Sequence, residues 1–192
     1  MKASNERIPN SYVIPDNVKT REFINQLPFK LTHAQLRTWE EVKNNMSGKH
    51  LTSRLIQGDV GSGKTIVAVL ALMNTAFAGY QGAMMVPTEV LARQQYESIR
   101  NMFANAGIDI NVGLLTGSMT QSARRKVYDD IKNGTIDIVV GTHALIQEKV
   151  EYNNLALVIT DEQHRFGVNQ RKDFAQKGNE PHVLVMSATP IP

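Results

Sequence analysis

The chain has 192 residues, of which 42% are hydrophobic and none is cysteine, and its formal net charge at pH 7 is +3. This length suits one domain with a substantial core, and the lack of cysteine excludes disulfide bonds and fits a reducing compartment. No secretory signal or membrane-length apolar run is found, so we expect a cytoplasmic protein, and the mildly basic charge is compatible with an acidic partner without indicating nucleic acid alone.

The first part of the chain is polar and lacks sustained periodicity. Residues 1–27 are interpreted as a linker or N-terminal extension with one short helix near Thr20–Leu27. Residues 28–192 are expected to form a single domain. This domain is predicted to begin with a helix from Thr32 to Met46, which ends before Gly48.

Strands and helices then alternate along the chain. The predicted strands are Leu51–Gln57, Ala83–Val86, Ile108–Leu115, Ile136–Val140, Leu155–Thr160 and His182–Met186. The predicted helices are Ile66–Phe77, Glu89–Ala106, with Leu91, Ile99, Met102 and Phe103 on one side, and Met119–Lys132. Runs rich in Val and Ile without clean alternation are typical of strands buried on both faces. This order predicts an α/β fold with a mainly parallel sheet, helices on both faces and ligand sites beyond the carboxyl ends of the strands.

The most informative motif lies between a predicted strand and a predicted helix. Residues Gly58 to Thr65 read GDVGSGKT, which matches the phosphate-binding loop of nucleotide triphosphatases. Its glycines let backbone N–H groups surround an anion, Lys64 supplies charge for the outer phosphates, and the Thr65 hydroxyl can ligate Mg²⁺. A Gly-rich turn that matches by chance is the alternative, but the flanking strand and helix favour the phosphate loop. The candidate nucleotide-binding residues are Gly58, Gly61, Ser62, Gly63, Lys64 and Thr65.

An acidic pair follows the strand predicted over Leu155–Thr160. A carboxylate at the end of a buried strand is where such an enzyme needs a second Mg²⁺-holding group, so Asp161 is the candidate, acting through water. Glu162 would orient and deprotonate the attacking water. The alternative is an acidic N-cap cluster in a solvated loop. The histidines, including His164, show no metal-ligand spacing, so we find no zinc site.

Three motifs together resemble the ATPase core of superfamily 2 helicases and translocases: GDVGSGKT, DEQH at 161–164 and SAT at 187–189. Four segments are similar to the RecG family of bacterial ATP-dependent DNA helicases, which remodel branched DNA: PTEVLA at 87–92, GTHALI at 141–146, DEQHRFGV at 161–168 and SATPIP at 187–192. The resemblance implies the first RecA-like P-loop lobe of a motor that uses ATP and Mg²⁺ in recombination and repair.

The transcription-repair coupling translocase Mfd is the alternative family. Mfd-like proteins tend to read GDVGFGKT, PTTLLA and DEEHRFG, whereas this chain has Ser62, Glu89-Val90 and Gln163 at the differing positions. RecG is therefore favoured. A nucleotide-binding module that acts through protein contacts, without a DNA surface, is a third interpretation.

The resemblance also assigns residues to the base and to coupling. Gln35, in a segment that resembles the Q motif, would pair with the edge of adenine, and Phe29 could stack on the base. Alternatively, Phe29 is a core residue and Gln35 lies on a helix surface. Hydrogen bonds toward the acidic motif would relay the nucleotide state to the DNA surface. The predicted coupling residues are Gln163, His164, Ser187 and Thr189, with Arg165-Phe166-Gly167 in the adjoining loop.

The resemblance also implies that the chain binds one strand of double-stranded or branched DNA. Hydroxyls and backbone N–H groups at the ends of strands suit DNA phosphates. The predicted DNA-binding residues are Thr88, Arg93, Thr116, Gly117, Ser118 and Thr142. Arg124 and Arg125 lie off the apolar face of their predicted helix, so they are expected to be exposed and to add charge. A solvated basic face is the alternative.

Two parts of a RecG-type motor have no counterpart in the sequence. One is a second RecA-like lobe with the arginine that reaches the transferring phosphate, and the other is the N-terminal wedge domain. The chain has no room for either, so we expect it to be a fragment of a larger protein of the bacterial cytoplasm and nucleoid. Alone, it should hydrolyse ATP barely and should not unwind DNA.

Overall fold

The computed structural model describes residues 8–57, 63–161 and 180–187. Within these ranges, it describes the backbone but not the side chains of Gln57, residues 63–65, Asp161 and Ser187. The helices of this part are α1 Val18–Gln26, α2 His33–Met46, α3 Gly63–Phe77, α4 Glu89–Ala106 and α5 Gln121–Lys132, with a short 3₁₀ helix at His143–Ile146. The strands are β1 Ser53–Gln57, β2 Gln81–Met85, β3 Val112–Leu115, β4 Ile138–Gly141, β5 Leu155–Asp161 and β6 His182–Ser187.

The described strands form one sheet in the order β1-β6-β5-β2-β4-β3, and every neighbouring pair is parallel. β4 is buried along its whole length, which explains why its sequence is a continuous apolar run. One face of the sheet packs against α1 to α4, and the other packs against α5, the 3₁₀ helix and the segment around Tyr152. The predicted α/β fold, with a parallel sheet covered on both faces, is confirmed.

Local signals explain where the helices begin and end. Thr32, Thr88 and Thr120 cap α2, α4 and α5, since each side-chain oxygen accepts the backbone N–H three residues further on. Gly107 follows α4 with a φ of 68°, a left-handed conformation that favours glycine. The predicted bounds of α4 are confirmed. α2 begins at His33 rather than Thr32, and α5 begins at Gln121 rather than Met119, because the threonine before each helix is its cap.

The start of β3 and the exposure of Leu91 also differ from the sequence-based expectation. β3 begins at Val112 rather than Ile108, because the Ile108 N–H donates to the Phe103 carbonyl and so completes the end of α4. Leu91 is 39% exposed rather than buried. The buried stripe of α4 runs through Ala92 and Phe103, and Leu91 lies about 100° around the helix from Ala92.

Residues 8–27 pack on the domain, so the prediction of a linker is wrong for this segment. Ile14 and Phe23 are 1% and 2% exposed, and the Phe23 ring packs edge-on against Phe103 of α4. The Asn10 side chain donates to two carbonyl oxygens at the end of α2. The apolar residues of this segment are too irregularly spaced to predict a buried face, yet they fill sites on the core. α1 confirms the predicted short helix.

A buried histidine joins this segment to the sheet. His182, at the start of β6, accepts the Thr52 N–H on Nδ1 at 3.0 Å, and its Nε2 lies 2.8 Å from the Tyr12 carbonyl oxygen. Because Nδ1 is an acceptor, Nε2 carries the proton and donates to Tyr12, so the ring is neutral. Burial lowers the pKa of His182 from its ordinary 6.5, and the hydrogen bond to Tyr12 opposes this shift.

We expect the domain to lose stability as the pH falls below about 6.5. Because the folded-state pKa of His182 is lowered, the unfolded chain binds more protons, so the stabilisation is complete above the ordinary pKa and is lost as the pH falls through the folded-state pKa. Urea unfolding from about pH 8 to about pH 5 measures this. His182→Asn keeps an acceptor without titrating and should flatten the dependence, whereas His33→Asn, at an exposed position of α2, should not. An equally steep dependence in His182→Asn would contradict the assignment.

Candidate functional site

The carboxyl ends of the strands meet along one edge of the sheet. The register pairs Gln57, at the end of β1, with Ser187 of β6, and pairs Asp161, at the end of β5, with Met186 of β6. Neighbouring strands lie about 4.8 Å apart, so the ends of β1 and β5 are about 10 Å apart. The residue before GDVGSGKT and the first acidic residue therefore lie on one short stretch of this edge.

The predicted phosphate loop leads directly into α3. Its last three residues, Gly63, Lys64 and Thr65, form the first turn of this helix. The predicted loop residues Gly58, Gly61 and Ser62 lie outside the described residues. Residues 66–73 are at most 3% exposed, so the body of α3 is fixed in the core against α2, β2 and β5. The packing thus holds a helix N-terminus, which favours anions, at the edge of the sheet.

The acidic motif begins where a buried strand ends. Asp161 is the last residue of β5, and Ser187 is the last residue of β6. β5 lies between β6 and β2, so Asp161 stands at the middle of the edge. The other predicted residues of these motifs lie outside the described residues: Glu162, Gln163, His164, Arg165-Phe166-Gly167 and Thr189. Their catalytic and coupling roles stay predictions.

Phe29 and Gln35 flank the start of α2. The Phe29 side chain is 47% exposed, so it is not a core residue and its ring is accessible to a base. Gln35 takes part in a capping box: its Oε1 accepts the Thr32 N–H at 2.8 Å, and its own N–H donates to Thr32 Oγ1 at 3.1 Å. The Thr-x-x-Gln spacing in the sequence is the pattern of a capping box, which the adenine interpretation did not take into account. The cap fixes the Gln35 side chain at the helix start.

The other half of the edge carries the predicted DNA-binding segments. Thr88 is exposed and caps α4, with its Oγ1 accepting a first-turn N–H at 3.2 Å, and Arg93 is exposed further along the helix. Thr142 is partly exposed, and its N–H donates to the Leu115 carbonyl oxygen at 3.4 Å. A Cβ on Gly141 would lie 2.2 Å from that same oxygen, so only glycine allows β3 and β4 to end this close together. The ends of β2, β4 and β3 thus lie side by side.

The loop after β3 departs from the prediction. Thr116 is 0% exposed, so its hydroxyl cannot reach a DNA phosphate, and the prediction of that contact is wrong. Gly117 and Ser118 are exposed, but the Ser118 hydroxyl already donates to a carboxylate of α4. Arg124 is partly buried rather than exposed, because its guanidinium donates to the Gly117 carbonyl oxygen at 2.7 Å. Arg125 is exposed, as predicted.

The carboxylate that meets Ser118 belongs to Glu89, the first residue of α4. The Ser118 hydroxyl holds the pKa of Glu89 below its ordinary 4.5, and the nearby Thr116 hydroxyl and Arg93 lower it further, so the carboxyl is ionised. The buried Thr116 hydroxyl makes no fully formed hydrogen bond itself. Sequence reasoning missed Glu89 because its partner is 29 residues away along the chain.

Comparison with known proteins establishes the family. Residues 32–192 match the family model of the DEAD/DEAH box helicases. The chain belongs to this family. This helicase domain is 55% identical over 174 residues to the ATP-dependent DNA helicase RecG of Aquifex aeolicus, a match that covers 90% of this chain and 22% of that protein. It is 51% identical over 191 residues to RecG of Staphylococcus epidermidis, covering 100% of this chain and 27% of that protein.

The helicase domain also resembles a solved structure of RecG bound to a three-way DNA junction. The two superimpose with a TM-score of 0.80 at 48% identity, over 93% of this chain and 24% of that chain. The predicted resemblance to the first motor lobe of RecG is confirmed. The chain spans about a quarter of the length of these relatives. In the described part of the chain, no helix has the length and apolar character that a membrane span needs.

Proposed function

We propose that this helicase domain is the ATP-binding first motor lobe of a RecG-type DNA translocase, which hydrolyses ATP to remodel branched DNA and stalled forks in recombination and repair. The observation that carries the proposal is the strand order: β1, β6 and β5 carry the nucleotide motifs, and β2, β4 and β3 carry the predicted DNA-binding segments. β5 and β2 are neighbours, so the two halves of the edge adjoin. The relatives, named as ATP-dependent DNA helicases, support the same function.

ATP phosphates are proposed to bind at the start of α3, where Lys64 supplies a charge. Thr65 and Asp161 offer hydroxyl and carboxylate oxygens, the hard ligands that Mg²⁺ prefers, and they stand on α3 and at the end of β5. These residue types and positions fit the ion, which when bound neutralises charge on the phosphates. Glu162 is proposed to orient and deprotonate the attacking water.

Nucleotide binding and DNA binding are proposed to be coupled through the ends of β6 and β5. Ser187 ends the strand that lies between β1, which precedes the phosphate loop, and β5, which carries the acidic motif. A change in the nucleotide that moves the end of β6 therefore acts on β5 and, through it, on β2. The proposed coupling residues are Gln163, His164, Ser187 and Thr189.

DNA phosphates are proposed to bind along the ends of β2, β4 and β3. Thr88, Arg93 and Thr142 are at least partly exposed there and supply hydroxyl and guanidinium donors. Gly117 is exposed and supplies backbone groups only. Contacts to the DNA backbone carry no sequence information. This suits an enzyme that acts on a branched shape rather than on a sequence.

The proposed motor needs partners beyond this domain. A second RecA-like lobe would supply an arginine at the transferring phosphate, which is worth about 10³–10⁵ in rate, and a wedge domain would engage the branch point. The relatives are about four times as long as the matched region, which leaves room for both parts in them. The proposed site of action is the bacterial nucleoid.

Titration of the chain with a labelled three-way DNA junction, with and without a non-hydrolysable ATP analogue, tests the function. We expect binding that depends on the nucleotide and falls steeply with salt, because phosphate contacts release counterions. A single-stranded oligonucleotide of the same length is the control. If nucleotide binds and the junction does not, the chain is a nucleotide-binding module without a DNA surface, and the DNA part of the proposal fails.

Gln35→Glu is expected to abolish the preference for ATP over GTP without destabilising the domain. The carboxylate can still accept the Thr32 N–H of the capping box but cannot donate to adenine, so base recognition is separated from the cap. Gln35→Ala should lose both the preference for ATP and the capping hydrogen bond, and the lost cap should lower the stability of the domain by about 1 kcal/mol. Competition binding with ATP and GTP, beside urea unfolding, measures the two effects. Equal affinity of the unsubstituted chain for ATP and GTP would remove the adenine assignment.

A further inference from the structure

The loop of residues 116–118 is tethered from two sides. Arg124 of α5 donates to the Gly117 carbonyl oxygen at 2.7 Å, and the Ser118 hydroxyl donates to the Glu89 carboxylate at the start of α4. α5 follows this loop, whereas α4 follows β2, which is separated from β3 by β4 in the sheet. The two tethers therefore set the position of the loop relative to the α4 N-terminus, where Thr88 is exposed.

These tethers decide which groups of the loop can meet a DNA phosphate. The Thr116 hydroxyl is buried, and the backbone N–H of Thr116 donates to the Met119 sulfur at 3.3 Å. The Ser118 hydroxyl donates to the Glu89 carboxylate, and the Ser118 backbone N–H also faces that carboxylate. Within the part of the chain that the structure describes, the Gly117 N–H has no hydrogen-bond partner, and open space surrounds the position of a Cβ on this glycine. The Gly117 backbone amide is the donor that remains.

We infer that Glu89 and Arg124 are positioning residues for DNA binding, which hold the loop so that the Gly117 backbone amide meets a DNA phosphate. This inference rests on the proposed function. A carboxylate beside a phosphate site has two opposite effects, since its charge repels DNA while its hydrogen bond orders the loop. Ordering the backbone of one residue is worth about tenfold in affinity, whereas repulsion between exposed charges is screened by salt. The ordering effect should therefore dominate.

Fluorescence anisotropy with a three-way DNA junction at about 0.15 M salt tests the inference. Glu89→Ala should weaken DNA binding about tenfold, although the chain becomes more positive. Glu89→Gln should stay within about twofold, because its amide oxygen still accepts the Ser118 hydroxyl. Glu97→Ala is the matched control, since Glu97 is an exposed carboxylate of the same helix whose partner is Arg100; it should bind DNA as well as or slightly better than the unsubstituted chain.

A second measurement examines the tether without DNA. Amide hydrogen exchange at Gly117 and Ser118 should be faster in Glu89→Ala and in Arg124→Ala than in the unsubstituted chain, and unchanged in Glu89→Gln. ATP affinity should be the same in all these variants. If the unsubstituted chain binds the junction and Glu89→Ala binds it equally well or better, the inference fails while the proposed function stands. If the unsubstituted chain does not bind the junction, the DNA part of the proposed function fails first.

Discussion

Lys64→Ala is expected to weaken binding of ATP and ADP by about 10- to 100-fold, since a hydrogen bond between charged groups contributes about 1.5–3 kcal/mol. The unsubstituted chain should bind either nucleotide with a Kd between about 1 μM and about 1 mM, or about −8 to −4 kcal/mol. The affinity should be modest because, in the proposed motor, the loop amides and Lys64 form one half of a nucleotide site that a second lobe completes. Isothermal titration calorimetry in the presence of Mg²⁺ measures both affinities.

Lys49→Ala is the matched control for this substitution. Lys49 is exposed and precedes β1, so it lies toward the opposite edge of the sheet from the phosphate loop. Its replacement removes the same charge and should leave nucleotide affinity unchanged. Equal affinities for Lys64→Ala and the unsubstituted chain would remove the phosphate-loop assignment. An equal loss in both variants would show that phosphates are attracted by net charge alone.

Glu162→Gln in the proposed full-length motor is expected to lower kcat by about 10²–10⁴-fold while ATP remains bound. The amide preserves the shape of the side chain but cannot accept the proton of the attacking water. Asp161→Asn should act differently, because it weakens the Mg²⁺ site, so turnover and Mg²⁺-dependent binding should fall together. Steady-state ATP hydrolysis with a magnesium titration separates the two variants.

Glu97→Gln provides the control for these kinetics. It makes the same chemical change on the exposed side of α4 and should leave turnover unchanged. Near-normal turnover in Glu162→Gln would show that another group activates the water, and the roles assigned to the acidic pair would be wrong. A loss of ATP binding in Glu162→Gln would contradict the separation between water activation and magnesium binding.

Features of the fold that depend on neighbouring residues could be predicted from the sequence. α4 has its predicted bounds because Thr88 caps its start and Gly107 ends it. β4 is a short run of Val and Ile that is buried on both faces, as its lack of alternation predicts. A helix follows each of β1, β2 and β3, and this alternation of strands and helices predicts the parallel sheet and its ligand-binding edge.

Features that depend on distant residues could not be predicted in this way. Phe23 fills a site against Phe103, although nothing near it in the sequence suggests a buried face. Thr116 was expected to contact a DNA phosphate because it lies at the end of a strand, yet it is buried in a loop held by α4 and α5. Each of these positions is decided by a contact between residues far apart in the chain, which local patterns do not record.

The sequence predicts the residues of the candidate nucleotide site more completely than those of the candidate DNA surface, and the reason is chemical. A phosphate loop needs a fixed spacing of glycines, Lys64 and Thr65, so its pattern identifies it, whereas contacts to a DNA backbone use common hydroxyls and amides from several segments. The side chains of Lys64, Thr65 and Asp161 lie outside what the structure describes, so their roles stay predictions. At the candidate DNA surface, the structure distinguishes Gly117, which is exposed, from Thr116, which is buried, and the sequence does not.

The central proposal is that this domain is one half of an ATP-driven DNA motor. The most direct measurement compares steady-state ATP hydrolysis by this chain alone with hydrolysis by the proposed full-length motor, each with and without a three-way DNA junction. We predict that the junction strongly stimulates the full-length motor, whereas the chain alone hydrolyses ATP barely and is not stimulated, because stimulation requires two lobes to close around the nucleotide. Brisk, junction-stimulated hydrolysis by the chain alone, or a full-length protein indifferent to the junction, would contradict the proposal.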